Sequence, residues 1–185
     1  MKKILIILFS LIVLIGCGQK NKDEFTLGTY KDRTYINDHF LIETEIPEGF
    51  SFLTSEELKN LNEIMLAESP NPEATKYRNM VMNVEHLDGT KLTAFVDTHP
   101  TSSKHQLAEA NRYLDFLSAQ EIAYKQKKST VEINGLEYLV LELELPFDES
   151  QRSYITVKDD KLINIQINYK NVNAETAKTL MALYE

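Results

Sequence analysis

The chain has 185 residues, of which 20 are lysine or arginine and 28 are aspartate or glutamate, and its formal net charge is −8. An acidic balance of this size argues against nucleic acid as a partner, because binding to phosphates needs clustered basic side chains. A single cysteine excludes an intramolecular disulfide, a Cys-x-x-Cys redox pair and a cysteine-rich zinc site. Composition therefore removes several classes of protein and names no activity.

Residues 1–16 have the order of an export signal. Lys2 and Lys3 precede an apolar run over residues 4–15, which ends at a small residue, Gly16. A run of this length is too short to remain as a membrane-spanning helix, which needs about 20 residues. Removal of residues 1–16 leaves 18 basic against 28 acidic residues and a net charge of −10.

The segment Leu14-Ile15-Gly16-Cys17 resembles the lipobox of bacterial lipoproteins, in which the cysteine thiol is acylated and becomes the first residue after cleavage. This resemblance implies a lipid such as palmitate on Cys17 and a membrane anchor. Residues 17–28 are then the lipidated cysteine and a tether, of which the polar stretch 18–24 has no apolar periodicity. Residues 29–185 are predicted to form one domain, since no internal repeat or second linker is present.

Alternating apolar residues and turn signals predict an antiparallel sheet of about six to eight strands, built from hairpins and flanked by about three helices. Asp88-Gly89 and Asn134-Gly135 mark two of the hairpin turns. The predicted strands occupy residues 33–37, 40–46, 80–87, 91–97, 122–133, 136–145, 151–158 and 162–169. The predicted helices occupy residues 54–68, 104–119 and a final segment after Asn173, and residues 69–79 are expected to be irregular.

The fold class is therefore α+β, with one sheet face polar and the other covered by helices. Three segments resemble a Y-x-N-x-x-F, I-P-x-G-aromatic and V-x-I-x-G-x-E-Y pattern, and they are residues 35–40, 46–50 and 131–138. This pattern is similar to that of small lipoproteins of Gram-positive bacteria with the PsbP-like fold, although Phe50 stands where the pattern often has tryptophan. The resemblance implies an antiparallel sheet with helices and a non-enzymatic, accessory or binding role, and it assigns no catalytic residue.

The sequence contains no HExxH, GxSxG, P-loop or EF-hand motif, and we assign no catalytic residue and no cofactor. One candidate metal site consists of Asp97, His99 and His105, a carboxylate and two imidazoles at the end of a strand and the start of a helix. The alternative interpretation is that both histidines are solvated, because His-x₅-His spacing alone does not define a ligand pair.

A candidate binding surface combines polar side chains of two predicted strands: Glu142, Glu144, Asn164, Gln166 and Asn168. These residues either form a flat recognition surface for an envelope protein or glycan, or they are the solvated side of the sheet. We expect a monomeric lipoprotein on the outer face of a bacterial membrane that acts as a non-catalytic accessory or binding module. The alternative is a metal- or small-ligand-handling protein, or a hydrolase, that uses the site near Asp97.

Overall fold

The structure is a computed structural model that describes residues 25–98 and 105–185. The described part of the chain contains ten strands in two antiparallel sheets and four α-helices. The strands are β1 (Thr29–Lys31), β2 (Thr34–Asn37), β3 (Ile42–Glu45), β4 (Phe50–Phe52), β5 (Arg78–His86), β6 (Lys91–Asp97), β7 (Lys125–Ile133), β8 (Leu136–Glu144), β9 (Glu149–Lys158) and β10 (Lys161–Lys170). The helices are α1 (Ser55–Ala67), α2 (Pro72–Thr75), α3 (Gln106–Ala119) and α4 (Ala174–Met181).

The larger sheet has seven strands in the order β4-β5-β6-β10-β9-β8-β7. Its hairpins form where the turn residues predict them, and Asn134 and Gly135 both adopt positive φ in the turn between β7 and β8. The α+β class and the antiparallel hairpins are therefore confirmed. The strands number ten in two sheets rather than about six to eight, and the two that the sequence analysis missed, β1 and β4, have only three residues each, too few to show an alternating pattern.

The smaller sheet, in the order β1-β2-β3, contains the Y-x-N-x-x-F motif and explains it. The Tyr35 hydroxyl donates to the Leu27 carbonyl at 2.7 Å and accepts a hydrogen bond from the Asn37 amide at 3.0 Å. The Asn37 Oδ1 accepts from the backbone N–H of Phe40 at 3.2 Å, which holds the turn between β2 and β3. The motif therefore has a structural role.

The other two motifs also stabilise turns. Arg33 donates to the carbonyls of Ile46, Pro47 and Phe50 and so clamps the I-P-x-G turn. The hairpin turn between β7 and β8 contacts the residue that follows the first motif, since Asn134 donates to the Leu41 carbonyl at 2.8 Å. These contacts fasten the small sheet to one end of the large sheet.

Both faces of the large sheet are covered, so the prediction of one polar face is wrong. The first face packs with the small sheet and α4 around a core that includes Ile163, Ile165 and Ile167. The second face packs against α3 through Leu141, Leu143 and other residues. The alternation along β8 predicted that one of its faces is buried. In the structure, residues on both faces of this strand are buried.

A capping box begins α1, with Thr54 and Glu57 bonded to each other's backbone N–H. Two local expectations change. Residues 69–79, expected to be irregular, contain α2 and the start of β5. The predicted tether residues 25–28 belong to the fold, because the ring of Phe25 contacts His39 and Phe40.

Candidate functional site

The structure separates the five residues of the predicted binding surface. Residues directly opposite each other on paired strands lie on the same face of a sheet. Glu142 on β8 lies opposite Arg152 on β9, and Arg152 lies opposite Ile167 on β10, so Glu142 shares the face of Ile167. Asn164 lies opposite Ile155 and therefore faces the other way. The two glutamates thus lie on the first face of the sheet, while the polar residues of β10 (Asn164, Gln166 and Asn168) lie on the second.

These polar residues also have different surroundings. Glu142 lies 3.5 Å from Lys127 and 3.6 Å from Arg152, and Glu144 lies 2.9 Å from Lys125, so the carboxylates belong to cross-strand ion pairs. Asn164 is buried rather than solvent-facing. A single flat recognition surface made from all five residues is therefore ruled out.

The predicted metal site remains a prediction. Asp97 ends β6 and His105 precedes α3, whereas His99 lies outside the described residues. Within residues 25–98 and 105–185, no group of three or more histidine, cysteine, aspartate or glutamate side chains is arranged to hold a metal ion. Cys17, the predicted lipidation site, also lies outside the described residues.

The structure contains a concave site that the sequence patterns did not indicate, and we call it the α1 cleft. It is a cavity of about 370 Å³ between α1, the segment that leads into β1, and the start of β5. Its apolar lining consists of Leu27, Tyr30, Tyr35, Leu58, Leu66, Met80 and Val81. Ligand pockets have volumes of roughly 300–1,000 Å³, so the cleft suits a small molecule.

The cleft exists because α1 packs loosely on the sheet. Leu58 is the one buried residue of this helix, and Ile64 is more than half exposed. The helix is instead fixed by Asn62, whose amide donates to the Met80 carbonyl at 2.9 Å and whose oxygen accepts from the Met80 N–H at 2.8 Å. β4 pairs only with Val84, Glu85 and His86, so the earlier residues of β5 have no strand beside them on this edge. The two bonds from Asn62 satisfy the backbone of Met80 there in place of a strand.

The inner wall of the cleft is closely packed. Gly28 has φ +88°, and a Cβ atom there would lie 2.6 Å from the Tyr35 hydroxyl oxygen and 2.7 Å from the Ile36 carbonyl oxygen. Only glycine permits this approach, which brings the first residues of the domain against Tyr35. Burial raises the pKa of Tyr35 to about 12 and that of Tyr30 further, so both phenols are neutral at physiological pH.

The lysines at the rim of the cleft have carboxylate partners. Lys59 lies 4.0 Å from Glu63, and Lys76 donates to Glu73. Arg78 stacks over the ring of Phe95 and lies opposite Asp97 in the register of β5 and β6. The wall beneath this charged rim is mainly apolar.

A second cleft, of about 670 Å³, lies near the ends of β8 and β9. Its centre is Arg152, which contacts Glu142 at 3.6 Å and Glu185 at 3.0 Å. Because the charged groups that line it already pair with one another, a ligand there would have to displace existing ion pairs. The α1 cleft is the stronger candidate.

No local sequence signal marks the α1 cleft, because its walls come from residues 27–35, 55–66 and 75–81. The nearest signal was the weak apolar face of α1, which provides too few buried residues to fill the space beneath the helix. Among the described residues, no helix combines the length and the apolar character that crossing a bilayer requires.

No protein-family model matches the sequence, and no curated protein matches it. Among solved structures, the chain is similar to the solution structure of cyanobacterial PsbP (CyanoP) from Synechocystis sp. PCC 6803. The match has 14% sequence identity and a TM-score of 0.50, and it covers 77% of this chain and 82% of that chain. At this identity the similarity establishes the fold alone. The domain has a PsbP-like α+β fold.

Proposed function

We propose that the chain is a lipoprotein, anchored through Cys17 to the outer face of a bacterial membrane, that binds a small and largely apolar molecule in the α1 cleft. In this proposal the protein is a non-catalytic binding or accessory module of the cell envelope. The observation that carries the binding role is the cleft itself, a ligand-sized cavity with a largely apolar wall that includes Tyr30 and Tyr35.

The lipobox-like segment supports the anchor, since Cys17 follows a charged n-region, an apolar h-region and a small residue. Two acyl chains on one cysteine would hold the protein stably, whereas one chain gives only marginal binding. Leu27 is ten residues from Cys17 and lines the cleft, so an extended chain would keep the cleft within about 35 Å of the anchor. The site would therefore sample molecules close to the membrane surface.

The anchor is tested by metabolic labelling with radioactive palmitate in cells that express the full chain. We expect the label and membrane fractionation for the wild-type chain, and loss of both for Cys17→Ala. An equally labelled and membrane-associated Cys17→Ala chain would refute the anchor.

The cleft is tested with N-phenyl-1-naphthylamine, a small, neutral fluorescent probe. We expect saturable binding of one probe per chain. Leu66→Trp places a larger side chain at the cleft and is expected to weaken binding at least tenfold. Leu107→Trp is the matched control, because Leu107 is also a partly exposed helical leucine, 45% exposed against 37% for Leu66, and lies outside the cleft. Absence of saturable binding, or equal effects of the two substitutions, would refute the assignment.

A further inference from the structure

The strand β7 is an exposed edge of the seven-stranded sheet. It pairs with β8 through all of its nine residues without a bulge, and no described strand lies on its other side. Its first six residues, 125–130, are all exposed, so neither α3 nor the small sheet covers them. Edge strands in proteins are commonly short, bulged or interrupted by proline, because an open edge can pair with another chain. β7 is long, regular and free of proline.

The backbone of β7 presents a row of hydrogen-bonding groups on this open side. The two-residue turn Asn134-Gly135 makes Ile133 and Leu136 the first hydrogen-bonded pair of the hairpin, and such pairs recur at every second residue. The N–H and C=O groups of the residues between them (126, 128, 130 and 132) therefore point away from β8. Among the described residues, no backbone group pairs with this row.

The lysines of β7 do not close the open side. Lysine can protect an edge strand when its charge lies over the edge. Lys125 and Lys127 instead pair with glutamates of β8, at 2.9 Å and 3.5 Å, and so lie toward the interior of the sheet. Lys128 donates to the neutral side chain of Asn111 at 2.9 Å. Within the described part of the chain, the charge of Lys128 thus has no carboxylate partner.

An uncompensated negative charge lies four residues further along the same face of β7. Glu132 is exposed and lies directly opposite Glu137 of β8. Like charges in this arrangement destabilise a strand pair. Neither carboxylate has an ion-pair partner among the described residues. Glu132 therefore lacks a basic neighbour, as Lys128 lacks an acidic one.

We propose that β7 pairs antiparallel with β7 of a second copy of this chain, about a two-fold axis at Thr130. In this register Lys128 of each copy lies opposite Glu132 of the other, so two symmetric ion pairs form. The outward N–H and C=O groups of Lys128, Thr130 and Glu132 pair with those of the other copy. Thr130 lies opposite itself, and threonine pairs stabilise neighbouring strands.

The charges select this register among those that the backbone allows. An axis at Lys128 or at Glu132 would place like charges opposite each other. An axis at Ser129 or at Val131 would place both charged side chains opposite neutral residues. Only the axis at Thr130 satisfies both charges. A dimer departs from the monomer expected from the sequence, because only the strand order shows that β7 is an edge.

The register is tested by cysteine crosslinking in permeabilised cells that express the full chain, with a short bismaleimide as the crosslinker. Thr130→Cys places two cysteines opposite each other, with Cβ atoms about 5 Å apart. Gln126→Cys is the matched control, because Gln126 is exposed on the same face and edge, yet its two copies would lie about 26 Å apart. The wild-type chain, whose only cysteine is Cys17, gives the background. We expect a covalent dimer from Thr130→Cys and none above background from Gln126→Cys.

The ion pairs are tested by charge exchange in the Thr130→Cys chain. Lys128→Glu places carboxylates opposite each other, and Glu132→Lys places ammonium groups opposite each other. Either change should lower the yield of covalent dimer roughly fivefold. The two changes together reverse both ion pairs and should restore the yield. Because these side chains are exposed, we expect unchanged thermal unfolding, which checks that the variants fold.

Four results would overturn the proposal: no dimer above background from Thr130→Cys, an equal yield from Gln126→Cys, a crosslinked product with a different protein in place of the dimer, or no recovery of the yield after charge exchange. The α1 cleft lies at the other edge of the sheet, beside β5. Binding of N-phenyl-1-naphthylamine to the same variants therefore reports on the cleft alone, and failure of the dimer is distinguishable from failure of the binding role.

Discussion

Replacement of Asn37 by alanine tests whether the Y-x-N-x-x-F motif stabilises the turn between β2 and β3. Asn37 is fully buried, and its side chain accepts from the Phe40 N–H at 3.2 Å and donates to the Tyr35 hydroxyl at 3.0 Å. An unsatisfied buried N–H costs about 1–3 kcal/mol, and the lost bond to Tyr35 costs about 0.5–1.5 kcal/mol. We therefore expect Asn37→Ala to lower the free energy of unfolding by about 2–4 kcal/mol.

The assay is urea unfolding of the chain that follows the predicted signal peptide, monitored by circular dichroism. A loss of this size would lower the melting temperature by roughly 5–15 °C for a domain of this length. Asn168→Ala is the control, because Asn168 also lies in a strand, is partly exposed, and makes no side-chain hydrogen bond among the described residues. A loss below about 1 kcal/mol for Asn37→Ala, or equal losses for the two variants, would refute the reasoning.

Three further predictions concern other buried contacts. Gly28→Ala should lower the melting temperature more than Gly89→Ala, because both glycines have positive φ but a Cβ clashes only at Gly28; equal losses by calorimetry would contradict the clash. Tyr154→Phe should leave the free energy of urea unfolding unchanged or raise it, because the buried Tyr154 hydroxyl has no hydrogen-bond partner among the described residues, whereas Tyr138→Phe loses a bond and serves as the comparison. Burial raises the pKa of Tyr35 and of Tyr154 to about 12, so their contribution to the free energy of unfolding is complete below pH about 10 and is lost as the pH rises from 10 to 12. The free energy of unfolding should therefore fall over that window, and an unchanged value would refute this linkage.

The hairpins could be predicted because their signals are local. Asn134-Gly135 supplies the two positive φ values of a tight turn, and the alternation that follows sets the faces of the strand. The capping box at Thr54 is equally local, since its donors and acceptors lie within four residues. Short strands such as β1 were missed because three residues contain too little pattern.

The candidate sites could not be predicted in the same way. The alternation along each strand predicted that Glu142 and Asn164 both lie on the polar face of the sheet. The pairing of β8, β9 and β10 places them on opposite faces. The α1 cleft depends on the distance between α1 and the sheet. The two hydrogen bonds between the Asn62 side chain and the Met80 backbone hold the helix at that distance. Neither property is contained in a local pattern.

The sequence by itself determined the fold class, the hairpins and the acidic character of the chain, and it supports the prediction of an anchor at Cys17, because each of these depends on neighbouring residues or on composition. The tertiary structure decided that both faces of the sheet are buried and that a cleft remains under α1. The physical reason is that packing and strand register bring together residues up to 140 positions apart, as between Thr44 and Tyr184. Such contacts depend on the whole fold rather than on any one segment.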